Sequence, residues 1–190
     1  MRMGFDLDGV VADSLPQMVA EGQRIGCIPR GVVLGEIRGK LEDRFGISDD
    51  DMKRMLTREV YLRSAPVPEI VSDVRRWMDE GHDVHFVTAR TEDFTPGVQA
   101  TTVEWLDEHG LWIDCAGLHH VRSSKKWLFL KRAAIPIFVD DMTHVIRPMV
   151  GVVPHPFLLA SEENVDAEAE GIRRWSWGEI RVEIDRLSGG

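Results

Sequence analysis

Two apolar runs that give out in paired acids constrain this chain most: FDLDGVV at residues 5–11 and IPIFVDDM at residues 135–142. A short apolar run of this kind reads as a strand buried within a sheet. An ionised carboxylate beside it is costly unless it shifts its pKa, meets a cation or avoids burial. Asp6, Asp8, Asp140 and Asp141 therefore each need a reason.

Between and after these runs, strand-like and helix-like patterns alternate. Pro66 and Pro68 in SAPVPEI end a first helical stretch. Ile70, Val71, Val74, Trp77 and Met78 then recur at helical spacing, with Gly81 placed to cap. HDVHFVTAR reads as a strand ending near Thr88, and TPGVQATTVEWLDEHG as a helix stopped at Gly110. CAGLHHV is a weaker strand, and SSKKWLFLKRAAI a helix with Ser123 or Ser124 at its N-cap. VGVV, residues 150–153, repeats the strand pattern faintly, and SEENVDAEAE reads as a solvated acidic loop or frayed helix. SWGEIRVEIDRL sets Trp177, Ile180, Ile184 and Leu187 on one face, with Ser176 and Glu179 in capping-box positions.

Such alternation predicts an α/β fold, a parallel sheet with helices on both faces. Residues 14–66 are polar and helix-like and form a small helical unit inserted after the first strand; residues 1–13 and 67–190 form the core. Within the insertion, Ser48 opens an acidic helix start followed by Met52, Met55 and Leu56 on one face. Gly31, Gly35 and Gly39 stand at four-residue spacing, which predicts a close approach of two helices. The same stretch, GVVLGEIRGK, misses the phosphate-loop pattern and lacks its Ser or Thr.

A net charge of −9, from 32 acids against 23 bases, argues against a nucleic-acid polymer as partner but is compatible with a small anion bound beside a metal. Cys27 and Cys115 suggest neither a disulfide framework nor a metal-binding pair, which fits a reduced, cytoplasmic compartment. No run approaches the ~20 apolar residues of a spanning helix, so no membrane partner is expected. GxSxG, HExxH and GxGxxG patterns are absent. His119 and His120 near Cys115 invite a zinc reading but lack a second ligand cluster. The six tryptophans fall mostly at helical positions and read as packing.

In a parallel α/β sheet, ligands gather at the carboxyl ends of the strands, where both acid pairs stand. Four carboxylates at one edge repel unless a divalent cation sits among them, and all-oxygen ligation with room for a phosphate suits Mg²⁺. Thr88 and the lysines Lys125 and Lys126 arrive at the same edge and suit phosphate oxygens. These parts fit phosphoryl transfer: one carboxylate attacks phosphorus, and a second group serves as acid and then base. Against this, the acids also read as turn residues, Thr88 as strand packing and the lysines as a solvated helix start. Arg90 reads equally as a substrate contact or a surface residue.

FDLDGVV, VTAR, a lysine heading a helix and FVDDM, in that order over residues 5–142, resemble the four motifs of the haloacid dehalogenase superfamily. The resemblance implies a Rossmann-like core with a small helical cap and a Mg²⁺-dependent phosphatase. It implies Asp6 as nucleophile, Asp8 as acid and base, and Thr88, Ala89 and one lysine on the phosphate. The metal would lie on Asp6, the Asp8 carbonyl and Asp141, with Asp140 a ligand or a partner of metal-bound water. Lys126, fourteen residues before Asp140, is preferred over Lys125, with Lys131 as an outside candidate. YLRSAPVPE and WSWGEI are similar to the 5′(3′)-deoxyribonucleotidase group and its bacterial relatives, which implies a small phosphorylated metabolite, a nucleoside monophosphate above others. The TAR triplet departs from that group's Thr-Ser pair, and the insertion offers only Phe45 and Tyr61 as aromatics. Rival readings are a dehalogenase, which has no use for Asp8 or a metal, a phosphatase for a non-nucleotide metabolite, and a silent binding or regulatory domain of the same fold. Monomer and homodimer are both open for the chain.

Overall fold

The computed structural model describes residues 1–37, 40–112 and 117–189. Its main sheet has six parallel strands in the order β5-β4-β1-β6-β7-β8: β1 (Arg2–Phe5), β4 (Asp83–Thr88), β5 (Leu118–His120), β6 (Ile137–Asp140), β7 (His155–Leu159) and β8 (Arg174–Trp175). Helices α5 (Pro68–Asp79), α6 (Val98–Glu108), α7 (Lys126–Ala133), α8 (Thr143–Ile146) and α9 (Trp177–Ser188) connect or flank these strands. The sheet is thus the α/β architecture that the alternating pattern predicts. Among the described residues, no helix is long and apolar enough to cross a membrane.

Side chains alternate across a strand, and here that alternation divides the core into two layers. Met3, Phe5, Ile137, Val139 and Phe157 pack with α5 and α9, whereas Phe138 and Leu158 pack with Leu130 of α7 and Val145 of α8. Trp77 is fully buried in the first layer; it stacks on Phe5 at 5.8 Å and its indole N–H donates to Asp185 at 2.8 Å. The capping box of α9 is present, Ser176 and Glu179 each satisfying the other's backbone N–H.

The first acid run is only partly a strand. β1 ends at Phe5, and the N–H groups of Val10, Val11 and Ala12 all turn back onto the Leu7 carbonyl. Beyond this turn, β2 (Ala12–Asp13) pairs antiparallel with β3 (Ala65–Pro66), a two-stranded stem from which the helical insertion departs and to which it returns. The insertion holds α1 (Leu15–Ile25), α2 (Leu41–Phe45), α3 (Asp49–Met55) and α4 (Arg58–Arg63) around its own cluster of Val19, Ile28, Ile37, Leu41, Ile47 and Met55.

Three local readings differ from the structure. A Cβ at Gly31 or Gly35 would meet nothing within 4 Å, so these glycines bring no helices together, and Gly39 lies outside the described residues. The close approach is instead at Gly22 of α1, where a Cβ would stand 2.6 Å from Ile28 Cδ1. VGVV is a turn, with Gly151 at φ +76° and Val150 62% exposed; the strand is formed by HPFLL, which buries Phe157 and Leu158. Neither Ser123 nor Ser124 caps α7, because Ser123–Lys125 form a turn of 3-10 helix before it. Cys115 also lies outside the described residues, and no group of three His, Cys, Asp or Glu ligands forms around His119 and His120 among those described.

Trp77→Ala is expected to lower the unfolding free energy by about 3–5 kcal/mol, read by urea denaturation, with Trp77→Phe losing clearly less because the stack on Phe5 survives.

Candidate active site

Strand register decides which acids meet. Phe5 pairs with Val139, and the Asp6 N–H donates to the Val139 carbonyl at 2.9 Å, so the residues that follow each strand emerge side by side. Carboxylate oxygens of Asp6, Asp140 and Asp141 lie within 4.8 Å of one another, all three residues buried. The chain can pass this close to Asp141 only because residue 9 is glycine: at φ +78°, an added Cβ would fall 2.1 Å from Asp141 Oδ2.

Lys126, the first residue of α7, is fully buried and spans two of these acids, with Nζ 2.7 Å from Asp6 Oδ2 and 2.8 Å from Asp140 Oδ2. Asp6 Oδ1 accepts from Leu7 N–H at 2.7 Å, and Asp140 Oδ1 from Met142 N–H at 2.9 Å. Lys125 and Lys131 are exposed, so of the three lysines it is Lys126 that reaches the acids. Burial pushes the Asp6 carboxyl up to about 7; Lys126 opposes this, and the neighbouring Asp140 adds to it. The same two carboxylates hold the Lys126 ammonium above its ordinary range despite the burial. Three clustered acids with one lysine among them, on Asp6 and Asp140, leave an excess of negative charge, and a hard dication fits that donor set.

Asp8 is held apart from this group. Arg90 grips it with a two-pronged contact, Nε to Oδ2 at 2.9 Å and Nη2 to Oδ1 at 2.8 Å, and the Ser14 side chain adds a hydrogen bond. Burial alone would raise the Asp8 carboxyl, but the Arg90 guanidinium outweighs it and holds the group below the ordinary carboxylate range. Thr88 ends β4 fully buried, and its hydroxyl oxygen accepts from the Arg90 N–H at 3.2 Å. Ala89 is exposed beside them.

A cavity of 260 Å³ opens between this edge and the insertion, floored by Asp6, Asp8, Ala89 and Asp141 and walled by Leu15, Met18, Leu41 and Met52, with Lys40 and His144 also at its border. One structural residue escaped the sequence reading. Asn164, within the stretch read as a solvated acidic loop, is 4% exposed and donates to the carbonyls of Asp141 at 2.7 Å and Leu159 at 2.8 Å. An asparagine among acids in SEENVDAEAE was the only available signal.

No protein-family model matches the chain. A Bacillus cereus protein described as "Putative nucleotidase" is 22% identical over 142 residues, 72% of this chain and 73% of its own length. Among solved structures, a haloacid dehalogenase-like hydrolase from Streptococcus pneumoniae superposes with a TM-score of 0.60 at 13% identity, covering 96% of each chain. A hydrolase from Pseudomonas syringae does so with a TM-score of 0.59 at 15% identity, over 98% of this chain and 99% of its own. The chain therefore has the fold of haloacid dehalogenase-like hydrolases.

Removing the buried cation exposes the charge imbalance. Without divalent ions, Lys126→Met is expected to destabilise the protein by about 3–5 kcal/mol in urea denaturation, and adding Asp140→Asn to recover part of the loss.

Proposed function

We propose that this chain is a Mg²⁺-dependent phosphohydrolase of the haloacid dehalogenase type that cleaves a small phosphate monoester through an aspartyl-phosphate on Asp6. The observation that carries the reading is the convergence of Asp6, Asp140 and Asp141, the first two bridged by Lys126, with a separately held Asp8 two residues after Asp6. Asp6, Asp141 and the Asp8 carbonyl would hold the ion, with Asp140 beside them. When bound, Mg²⁺ supplies positive charge for the phosphoryl oxygens and relieves repulsion among the acids.

In the first step an Asp6 oxygen forms a bond to phosphorus while the bond from phosphorus to the leaving oxygen breaks, and Asp8 gives that oxygen its proton. In the second, water attacks phosphorus, Asp8 takes a proton from the water, and the bond between phosphorus and Asp6 breaks to free phosphate. Because Arg90 holds Asp8 ionised between turnovers, Asp8 returns that proton to solvent and takes up from solvent, as the ester binds, the one it gives in the first step. Lys126 keeps Asp6 oriented and offers its charge to the phosphoryl group, and the Thr88 hydroxyl and Ala89 N–H donate to the other oxygens.

A nucleoside monophosphate is the substrate we favour, supported by the nucleotidase description of the Bacillus cereus relative. A non-nucleotide ester is a second reading, favoured by one observation: among the described residues no Phe, Tyr or Trp lines the cavity, Tyr61 being 3% exposed and Phe45 packed in the insertion's own cluster. Phosphate release across nucleoside monophosphates and sugar phosphates separates the two.

With Mg²⁺ the protein is expected to release phosphate from a generic aryl phosphate, and Asp6→Asn and Asp8→Asn each to abolish release; robust turnover in excess chelator, or full activity in Asp6→Asn, overturns the reaction. Mg²⁺ at a hundredfold excess over its Kd is expected to stabilise the folded protein by about 2.7 kcal/mol, an increment that Asp141→Asn loses in thermal denaturation.

A further inference from the structure

Arg90 is not displayed to solvent as a phosphate-binding arginine would be. It is 3% exposed, and both prongs of its fork lie on one carboxylate, Asp8. Its main chain is fixed as well: the N–H donates to Thr88 Oγ1 at 3.2 Å and the carbonyl accepts from His120 Nδ1 at 2.7 Å. The remaining nitrogen, Nη1, is buried with no hydrogen-bond partner. Burying a guanidinium with an unmet donor is costly, and a fully satisfied surface position would avoid the cost. The face of the guanidinium is covered by Tyr61, whose ring centroid lies 4.3 Å from Arg90 Cζ. A desolvated contact of this kind offsets part of that cost.

Tyr61 belongs to α4 of the insertion, Arg90 follows β4 of the core, and Asp8 lies in the turn after β1. Tyr61 is itself buried and hydrogen bonds through its side chain to Thr95, so the ring has a fixed seat. Three separate parts of the chain are thus linked in a line, Tyr61 to Arg90 and Arg90 to Asp8. A two-pronged contact fixes the plane of a carboxylate as well as its position, which a single lysine contact does not.

We propose that Arg90, backed by Tyr61, is the positioning residue that aims Asp8 at the leaving oxygen, so that the seating of the insertion on the core sets the efficiency of proton transfer. This rests on the phosphohydrolase reading above. Arg90 touches no reacting atom in this scheme; it acts through Asp8. The consequence is specific to the leaving group. A strongly basic alkyl oxygen needs the proton Asp8 gives as its bond to phosphorus breaks, whereas a weakly basic aryl oxygen departs largely without it.

The test compares kcat/KM for an alkyl phosphate monoester and for p-nitrophenyl phosphate, both with Mg²⁺. This ratio reports the steps up to departure of the leaving group, so hydrolysis of the phosphoenzyme does not enter. Arg90→Met is expected to lower kcat/KM by about 100-fold for the alkyl ester and by less than about tenfold for the aryl ester. Arg90→Lys, which keeps the charge but not the fork, falls between wild type and Arg90→Met. Tyr61→Leu shows the same leaving-group dependence at smaller size, and Tyr61→Phe keeps the wild-type ratio. Equal losses on the two esters in Arg90→Lys and Arg90→Met, or no loss in either, overturn the proposal. Should Arg90→Met fail to fold, Arg90→Lys and Tyr61→Leu carry the same comparison. A wild-type protein inert toward both esters overturns the reaction itself and this inference with it; an active wild type with equal losses overturns the inference alone.

Discussion

The buried contact of Lys126 with Asp6 and Asp140 is the constraint on which the remainder of the site depends. An ammonium with almost no access to water lies 2.7 Å from one buried carboxylate and 2.8 Å from another. Such a cluster persists only where the backbone determines its geometry, because each charge is expensive to bury alone. Here the backbone does so through neighbouring parallel strands in register, with Asp6 hydrogen-bonded to Val139, and through a helix whose first residue is the lysine. Asp141 completes the group from the next position and is braced by Asn164, which also grips the end of β7.

The turn between β1 and β2 then holds two carboxylates two residues apart in opposite electrostatic surroundings. Burial pushes Asp6 up to about 7 despite Lys126, with Asp140 adding to it, while the Arg90 fork holds Asp8 low. Asp8 is also bound to the insertion through Tyr61 over Arg90, and Ser14 reaches it from just past the stem. One carboxylate is thereby tied to the sheet, and its neighbour to the sheet and the insertion together.

Much of this was legible because it is written in local pattern. Ile70, Val71, Val74 and Trp77 are buried on α5 as their spacing predicts, and IPIFVDDM is a strand ending in acids. What was not legible depends on partners distant in sequence or on small rotations of the chain. Lys125 and Lys126 look alike at a helix start; the 3-10 turn over Ser123–Lys125 sets the register that leaves the first exposed and the second buried. Arg90 meets Asp8 across 82 residues, so nothing near TAR announced the pair. HPFLL gives little strand signal, since Pro156 cannot donate to the ladder; the proline is tolerated near the strand's start, and Phe157, Leu158 and Leu159 supply the buried side chains. β8 has only two residues, Arg174 and Trp175, too few for any period to register.

In the proposed reaction an Asp6 oxygen bonds to phosphorus, beside acids that would share a dication. The most direct measurement is rapid acid quench of the protein during turnover of a phosphate monoester with Mg²⁺, followed by peptide mass spectrometry. A phosphoryl group on the peptide carrying Asp6, located at that residue and missing from Asp6→Asn, is the predicted result. Active protein whose phosphoryl group sits on another residue, or which turns over with no covalent adduct under any quench, would contradict it.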